Sequence, residues 1–177
     1  AQGFFSAGST GACLAAGTLV MGRIKGVARP ALATVIPSPV RPVVMCDVGA
    51  NADCKPAYLV QFAQMATVYA ERIVGIENPC AALLNIGEEE AKGSQFAQEA
   101  HALLKEQLPN FAGNAEGGDI LPAKFDVIVT DGFTGNVCLK TIEGTSKTLF
   151  KTLKGIMMRT PVTKLGALAI KGGLKEL

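Results

Sequence analysis

Three loops rich in small residues contain the side chains best suited to chemistry. Each loop combines Gly with Asn, Ser or Thr and leads into a segment of helical period. The loops are 6–11 (SAGSTG), 47–56 (DVGANADCKP) and 131–136 (DGFTGN), and the last two follow β-branched runs. In an open parallel sheet, loops of this kind lie at the carboxyl edge, where ligands bind and glycine lets backbone N–H groups approach an anion. The pattern predicts a site for a phosphate-like ligand, with ordinary strand-to-helix turns as the alternative.

Lys55 is the only cation in these three loops. A lysine at the start of a helix can hold phosphate or polarise a carbonyl oxygen, and the alternative is a solvated loop lysine. The first loop lacks the Gly-Lys-Ser/Thr ending of a P-loop, and its Gly8 and Gly11 do not form GxGxxG. Nucleotide binding therefore loses its main support.

Other reactive side chains have weaker support. Cys54 could be an activated thiolate, although a free cysteine is more often a small buried hydrophobic residue. We expect His101, the only histidine, to be a surface residue of a helix rather than a general base. The run 88–90 (EEE) is interpreted as an N-terminal helix cap, because consecutive helical residues do not converge on one metal ion.

Short β-branched runs alternate with longer segments of helical period, a pattern typical of βαβ units around a largely parallel sheet. Strands are predicted over 31–36, 43–46, 82–86, 110–113 and 126–130. Helices are predicted over 10–20, 56–74, 88–107 and 135–153. The proline-rich stretch 37–42 is expected to connect two strands.

Composition excludes several classes of protein. With 177 residues, 49% hydrophobic and 18% charged, the chain is too apolar for disorder and long enough for one globular domain. Five scattered cysteines without a CxxC pair fit neither a disulfide framework nor a zinc site, which favours a reducing cytoplasm. We expect neither a membrane span nor an export signal.

The C-terminal segment differs from the rest in charge. Residues 1–139 contain 9 basic and 13 acidic side chains, whereas residues 140–177 contain 8 basic and 2 acidic ones. Apolar residues and lysines interleave through 147–177, which predicts a helical hairpin with an apolar and a cationic face. Such a hairpin could lie at an anionic membrane interface or pack within a homo-oligomer, and both alternatives stay open.

Six motifs follow one another along the chain: SAGSTGA, GRIKGVARPALAT, DVGANADCKP, LLNIGEEEAKG, GNAEGGDI and DGFTGNVCLKTIEG. Taken together and in order, they resemble the PlsX-type phosphate acyltransferases of bacterial phospholipid synthesis. The resemblance covers nearly the whole chain to about Gly144, and the cationic tail is similar in character to the membrane-associating region of that family.

The resemblance implies a three-layer α/β sandwich related to the phosphate acetyltransferase and isopropylmalate dehydrogenase folds, followed by the helical hairpin. We expect an α/β core over 1–154 and a cationic helical tail over 155–177. Members of the family are longer, with an N-terminal segment containing a DAMGGD-like motif and a Gly-rich C-terminal segment. The chain is therefore expected to be a fragment of a longer family domain.

The implied reaction transfers an acyl group from acyl carrier protein to inorganic phosphate, without metal or organic cofactor. The implied setting is a cytoplasmic homodimer, with peripheral contact at the inner face of the cell membrane through 147–177. A glycerol-phosphate acyltransferase would act downstream, and no nucleic acid is involved. By resemblance, Lys55 and Asn136 are the expected catalytic residues. The expected substrate-binding residues are Ser9, Thr10, Gly11, Asn51, Asp53 and Asp131.

Direct attack by phosphate is chemically sufficient for this reaction, because phosphate is a nucleophile and a thiolate is a good leaving group. We hypothesise that Lys55 and backbone amides at helix N-termini hold phosphate, while Asn136 donates to the oxyanion. Two alternatives remain open. One is a ping-pong acyltransferase that uses Cys54, and the other is a non-catalytic module that binds carrier protein or membrane.

Overall fold

The computed structural model describes residues 6–170, 172 and 173. The chain divides after Asn136 into two compact units, Ala1–Asn136 and Val137–Leu177. The division falls inside a helix. The boundary expected after residue 154 remains a prediction of where the cationic tail begins.

The first unit contains a five-stranded sheet in the order β1-β2-β5-β3-β4. Strand β1 is antiparallel to β2, whereas β2, β5, β3 and β4 are parallel to one another. The strands are β1 (Ala33–Ile36), β2 (Val43–Cys46), β3 (Ala81–Leu84), β4 (Phe111–Ala115) and β5 (Val127–Val129). The predicted α/β fold with a largely parallel sheet is confirmed.

The central strands are completely buried, as expected when both faces of a parallel sheet are covered. Every residue of β2 and β5 is buried. Cys46 of β2 and Leu83 of β3 both pair with Val129 of β5. Because these three strands end at the same level, the loops that follow them emerge side by side at one edge of the sheet.

The residues that the structure describes form five α-helices. They are α1 (Thr10–Ala16), α2 (Pro56–Tyr69), α3 (Gln95–Gln107), α4 (Gly132–Met157) and α5 (Pro161–Ile170). The first two continue into π-helical turns, Gly17–Met21 and Ala70–Val74, and a 3-10 turn covers Gly117–Asp119. Helix α2 packs against α3, β2 and β5. Its 3-4 spacing of apolar residues explains this packing, because that spacing places them on one stripe. The buried residues of α2 are Leu59, Val60, Phe62, Ala63 and Ala66.

The predicted start of α3 is wrong. The helix begins at Gln95, and the side chain of Ser94 accepts a hydrogen bond from the backbone amide of Ala97. Gly93 has a φ of +89°, a left-handed conformation that separates the preceding turn from the helix. The glutamates 88–90 therefore lie before the helix and do not cap it.

The expected exposure of His101 is also wrong. The side chain is buried, with 5% of its surface exposed. Its Nδ1 lies 2.8 Å from Oδ1 of Asn114. Asn114 Nδ2 donates to the carbonyl oxygen of Glu89, also at 2.8 Å. Helical spacing places His101 on the same stripe as Leu104, which faces the core. The histidine thus joins α3 to β4 and lies away from the three loops.

The second unit comprises α4 from residue 137 onward together with α5. Many large apolar side chains of this unit are exposed, and they are interleaved with lysines. They include Leu149, Phe150, Leu153, Ile156, Leu165, Leu168 and Ile170. Over 6–170, 172 and 173, no helix has both the length and the apolar character that crossing a membrane requires. The two helices predicted for this region are present.

Candidate active site

Asp47, directly after β2, organizes the loop that contains Lys55. Its side chain is completely buried. Oδ1 accepts hydrogen bonds from the amides of Leu32, Gly49 and Ala50 at 3.1, 3.2 and 3.0 Å. Oδ2 accepts from the amide and from Nδ2 of Asn51, both at 2.8 Å. Five donors on one carboxylate fix the loop, because releasing it would leave a buried charge without partners.

Asn51 connects this loop to the segment before β1. Its Nδ2 donates to the carbonyl oxygen of Pro30 at 2.8 Å as well as to Asp47. An amide nitrogen has two N–H donors, so both are used within the protein. Asn51 therefore positions the loop, and in this arrangement its amide has no donor left for an anion.

Two glycines let the first turn of α4 approach the loop closely. The amide of Gly132 donates to the carbonyl oxygen of Asn51 at 2.8 Å. A Cβ on Gly132 would lie 2.7 Å from the Asn51 amide nitrogen, and one on Gly135 would overlap the carbonyl oxygen of Asp47. Side chains at either position would push the helix away from the loop. The spacing of glycines in DGFTGN thus has a packing cause.

This contact brings the two expected catalytic residues into one region. Asn136 faces Gly49, where a Cβ would lie 3.6 Å from the Asn136 Cγ. Lys55 ends the same loop as the exposed N-cap residue of α2. The preceding Cys54 thiol donates to the carbonyl oxygen of Asn51 at 3.4 Å. We call the loop 47–55 together with 131–136 the catalytic corner.

The amides at the start of α4 are already occupied. Asp131 Oδ1 accepts from the amides of Phe133 and Thr134 at 2.9 and 2.8 Å, and the Asp131 carbonyl oxygen accepts from Gly135 at 3.0 Å. With the bond from Gly132 to the loop, all four amides of the first turn have partners. Asp131 is thus the cap of α4, and the hypothesis that these amides hold phosphate conflicts with this geometry.

Helix α2 begins differently. Lys55 precedes Pro56, which has no N–H, and within the described part of the chain no side chain caps this helix. The amide of Tyr58 bonds to the Lys55 carbonyl oxygen at 2.9 Å. A cation next to an uncapped helix N-terminus favours an anionic ligand.

The first loop reaches the catalytic corner only in part. Ser9 caps α1, because its Oγ accepts from the amide of Ala12 at 3.4 Å. Thr10 lines a mainly apolar cleft of about 580 Å³. Gly11 lies across a groove from Asn51. Asp53 is exposed, and in the described residues no hydrogen bond or ion pair involves its side chain.

Sequence reasoning missed three functional candidates. The first is Asp47. Its position directly after the buried strand β2 is the signal that indicates a loop-organizing carboxylate. Arg23 and Arg29 both line the groove between Gly11 and Asn51. The signal for these two residues is their spacing of six positions in a Gly-rich segment before a strand.

The environment of Cys54 disfavours a nucleophilic thiolate. Burial and, to a smaller extent, the charges of Asp47 and Asp131 raise the pKa of Cys54 to about 11, although the Gly132 amide and Arg29 oppose this rise. The thiol therefore stays protonated near neutral pH. This result weakens the ping-pong alternative.

A further cleft of about 290 Å³ lies at the carboxyl ends of β3 and β5. Its walls are mainly apolar, and the polar residues Asp131 and Thr134 lie at its border with the catalytic corner. The cleft offers space for an apolar group next to the corner.

The fold and the corner define the class: an α/β protein with a candidate ligand site at the carboxyl edge of a largely parallel sheet. The whole chain, residues 1–177, matches the family described as fatty acid synthesis protein. The protein belongs to this family.

Relatives of known name agree with this assignment. The chain is 51% identical over 176 residues to a phosphate acyltransferase of Clostridium novyi (strain NT), covering 99% of this chain and 53% of that protein. It is 52% identical over 180 residues to a phosphate acyltransferase of Lactobacillus gasseri, covering 100% of this chain and 54% of that protein. The chain thus spans about half the length of these relatives.

The fold is similar to that of EutD phosphotransacetylase from Staphylococcus aureus. The TM-score is 0.58 at 15% sequence identity, covering 74% of this chain and 46% of that chain. At this identity the similarity concerns the fold alone, and it agrees with the relation to phosphate acetyltransferases expected from the sequence.

Proposed function

We propose that the protein transfers an acyl group from the thioester of acyl carrier protein to inorganic phosphate, giving acyl phosphate for phospholipid synthesis. The observation that carries this proposal is the contact between the loop after β2 and the first turn of α4. It places Asn136 against Gly49, with Lys55 at the end of the same loop. The names of the relatives support the reaction class.

In the proposed reaction, an oxygen of phosphate attacks the thioester carbonyl carbon. A new C–O bond forms, the C–S bond breaks, and the electron pair leaves with the carrier-protein thiolate, which then takes a proton from solvent. Lys55 holds the phosphate dianion, and Asn136 donates to the developing oxyanion. Positioning and charge stabilisation suffice, so no protein nucleophile takes part.

The other site residues support this arrangement indirectly. Asp131 and Ser9 cap helices, and Asn51 holds the loop. Gly11 lines a groove that Asn51 of the corner also lines, and Thr10 lines the neighbouring cleft of about 580 Å³. We therefore propose positioning roles for this set, while Asp53, as an exposed residue of the same loop, stays a predicted substrate contact.

We also propose the setting of this reaction. The enzyme acts as a cytoplasmic homodimer, with acyl carrier protein and phosphate as substrates and with a glycerol-phosphate acyltransferase using the product. We propose that 147–177 makes a peripheral contact with an anionic membrane, which the exposed apolar residues and lysines within 147–170 support.

The test is phosphate-dependent release of thiol from acyl carrier protein, measured with a thiol reagent. The assay uses this chain and any longer protein that contains it. Lys55→Ala and Asn136→Ala should each lower turnover by about 10²- to 10³-fold, the usual cost of losing one charge-stabilising group. Lys25→Ala removes an exposed lysine of the segment before β1 and serves as the matched control. Near wild-type turnover in Lys55→Ala would remove this lysine from the mechanism.

The same assay separates the alternatives. An acylated Cys54 detected by mass spectrometry, together with an inactive Cys54→Ser variant, would favour the ping-pong route. A purified sample that never forms acyl phosphate would favour a non-catalytic binding module.

A further inference from the structure

A groove that shares residues with the catalytic corner is lined by both cationic and apolar side chains. Its volume is about 700 Å³. Arg23 and Arg29 are its cationic lining residues, Leu14 and Leu19 are among its apolar ones, and Asn51 of the corner also lines it. We call this feature the arginine groove. This lining suits a ligand that has both an anionic and an apolar part.

The backbone around Arg29 is anchored on both sides. The amide of Ala28 donates to Oε1 of Gln61 in α2 at 2.8 Å. The carbonyl oxygen of Pro30 accepts from Nδ2 of Asn51 at 2.8 Å. Residues 28 and 30 are thus held by two different elements, and Arg29 lies between them. An anchored backbone lowers the entropy cost of ligand binding.

The positive charges of the groove are not neutralised by acidic residues. Arg23 donates a hydrogen bond to the carbonyl oxygen of Ala28, five positions further along the same segment. Among residues 6–170, 172 and 173, neither Arg23 nor Arg29 forms an ion pair with a carboxylate. A guanidinium without a carboxylate partner is available to bind phosphate through two parallel hydrogen bonds.

The arginine groove is also electrostatically connected to the corner. Burial raises the pKa of Cys54 to about 11, and the positive charge of Arg29 is among the effects that oppose this rise. Arg29 is therefore near the loop that contains Lys55. An anion held by Arg29 would lie beside the site where the proposed reaction forms its product.

We propose that the arginine groove binds the acyl phosphate, with the phosphate group on Arg29 and Arg23 and the first carbons of the acyl chain along Leu14 and Leu19. The identity of this ligand rests on the proposed function. Two observations select it over inorganic phosphate alone. The groove is far larger than one phosphate, and apolar side chains are among its lining residues.

The test measures equilibrium binding by calorimetry at pH 8, with stable phosphonates in place of the labile acyl phosphate. Hexylphosphonate should bind on the order of tenfold more tightly than methylphosphonate or inorganic phosphate, because its chain buries apolar surface. Arg29→Gln should weaken all three by roughly ten- to a hundredfold, as expected for hydrogen bonds to a charged group. Arg29→Lys should recover part of this loss, because it keeps the charge.

Two matched controls locate the effects. Lys25→Gln removes one positive charge from the same segment and should leave every affinity within about twofold of wild type, since Lys25 does not line the groove. Leu19 and Val20 are 84% and 85% exposed, and only Leu19 lines the groove. Leu19→Asn should therefore weaken hexylphosphonate alone, whereas Val20→Asn should change nothing. Far-UV circular dichroism checks that each variant is folded.

Several results would overturn the proposal. They are absence of phosphonate binding to the wild-type chain, equal affinities of the folded Arg29→Gln variant and wild type, and equal binding of hexylphosphonate and inorganic phosphate. The last result would indicate a site for inorganic phosphate only. Binding needs no turnover, so the two proposals fail separately. Lack of acyl transfer with phosphonate binding intact would reject the proposed reaction. Acyl transfer without phosphonate binding would reject the arginine groove as the binding site of the acyl phosphate.

Discussion

Replacing Asp47 with Asn should destabilise the protein by about 3 kcal/mol while hardly changing the shape of the side chain. In the structure, Oδ2 accepts from two donors of Asn51 and Oδ1 accepts from three backbone amides. An amide nitrogen at the Oδ2 position would face two N–H donors instead of accepting from them. Losing two hydrogen bonds to a charged group costs roughly 3–6 kcal/mol, and removing a buried charge returns part of this.

The measurement is urea unfolding followed by circular dichroism at 222 nm, with the free energy of unfolding obtained by linear extrapolation. Asp53→Asn is the matched control, because it makes the same chemical change in the same loop at an exposed position. It should stay within about 0.5 kcal/mol of wild type. Hydrogen exchange provides a local readout: the amides of Gly49, Ala50 and Asn51 should lose protection in Asp47→Asn. Unchanged stability and protection in this variant would refute the view that Asp47 holds the loop.

Two more predictions follow from the same region. Gly135→Ala should unfold at clearly lower urea, because its Cβ would overlap the Asp47 carbonyl oxygen, whereas Gly144→Ala, with open space around it, should be neutral or stabilising by up to about 1 kcal/mol. Equal effects at the two positions would contradict the proposed close packing. Alkylation of Cys54 by iodoacetamide, followed by peptide mass spectrometry, should keep accelerating up to about pH 11, since burial raises its pKa from 9.0. A plateau near pH 9 would instead indicate an ordinary thiol.

The elements with strong local signals could be predicted from the sequence. Strand β2 occupies the predicted residues 43–46. This short apolar run lies between a proline-rich stretch and a loop of small residues, so it is too short for a helix and fits a buried strand. Helix α2 begins at Pro56 as predicted. Weaker signals also succeeded where topology agreed with them. Strand β4, expected over 110–113, is present as Phe111–Ala115.

The errors have a common physical cause, which is competition from contacts distant in sequence. The glutamates 88–90 suit a helix N-terminus, but Glu88 and Glu90 pair instead with Lys124 and Lys105. The turn before α3 then ends at Gly93. Lys124 lies 36 positions from Glu88 and Lys105 lies 15 positions from Glu90, so the local sequence pattern does not indicate either pair.

The candidate site was predictable only as a set of loops. Gly, Asn and Asp after strands indicate a ligand edge, and Lys55 and Asn136 lie in two such loops, which contact each other in the structure. Which donors remain free depends on three-dimensional partners. Asn51 and Asp131 look like ligand contacts in the sequence, but in the structure Asn51 uses its donors on Pro30 and Asp47, and Asp131 caps α4.

This use of donors decides what can hold an anion at the corner. Besides the exposed Asp53, the corner contains two carboxylates, Asp47 and Asp131, and both would repel a phosphate dianion if their charges were unbalanced. Seven hydrogen bonds stabilise the charges of Asp47 and Asp131. Their donors belong to the loop, to its neighbouring segment and to the start of α4. Those same donors are then unavailable to a substrate, so attraction for phosphate has to come from cations and from the uncapped start of α2. Within the described residues the cations placed to supply it are Lys55 and the pair in the arginine groove, which makes phosphate affinity the property most sensitive to their removal.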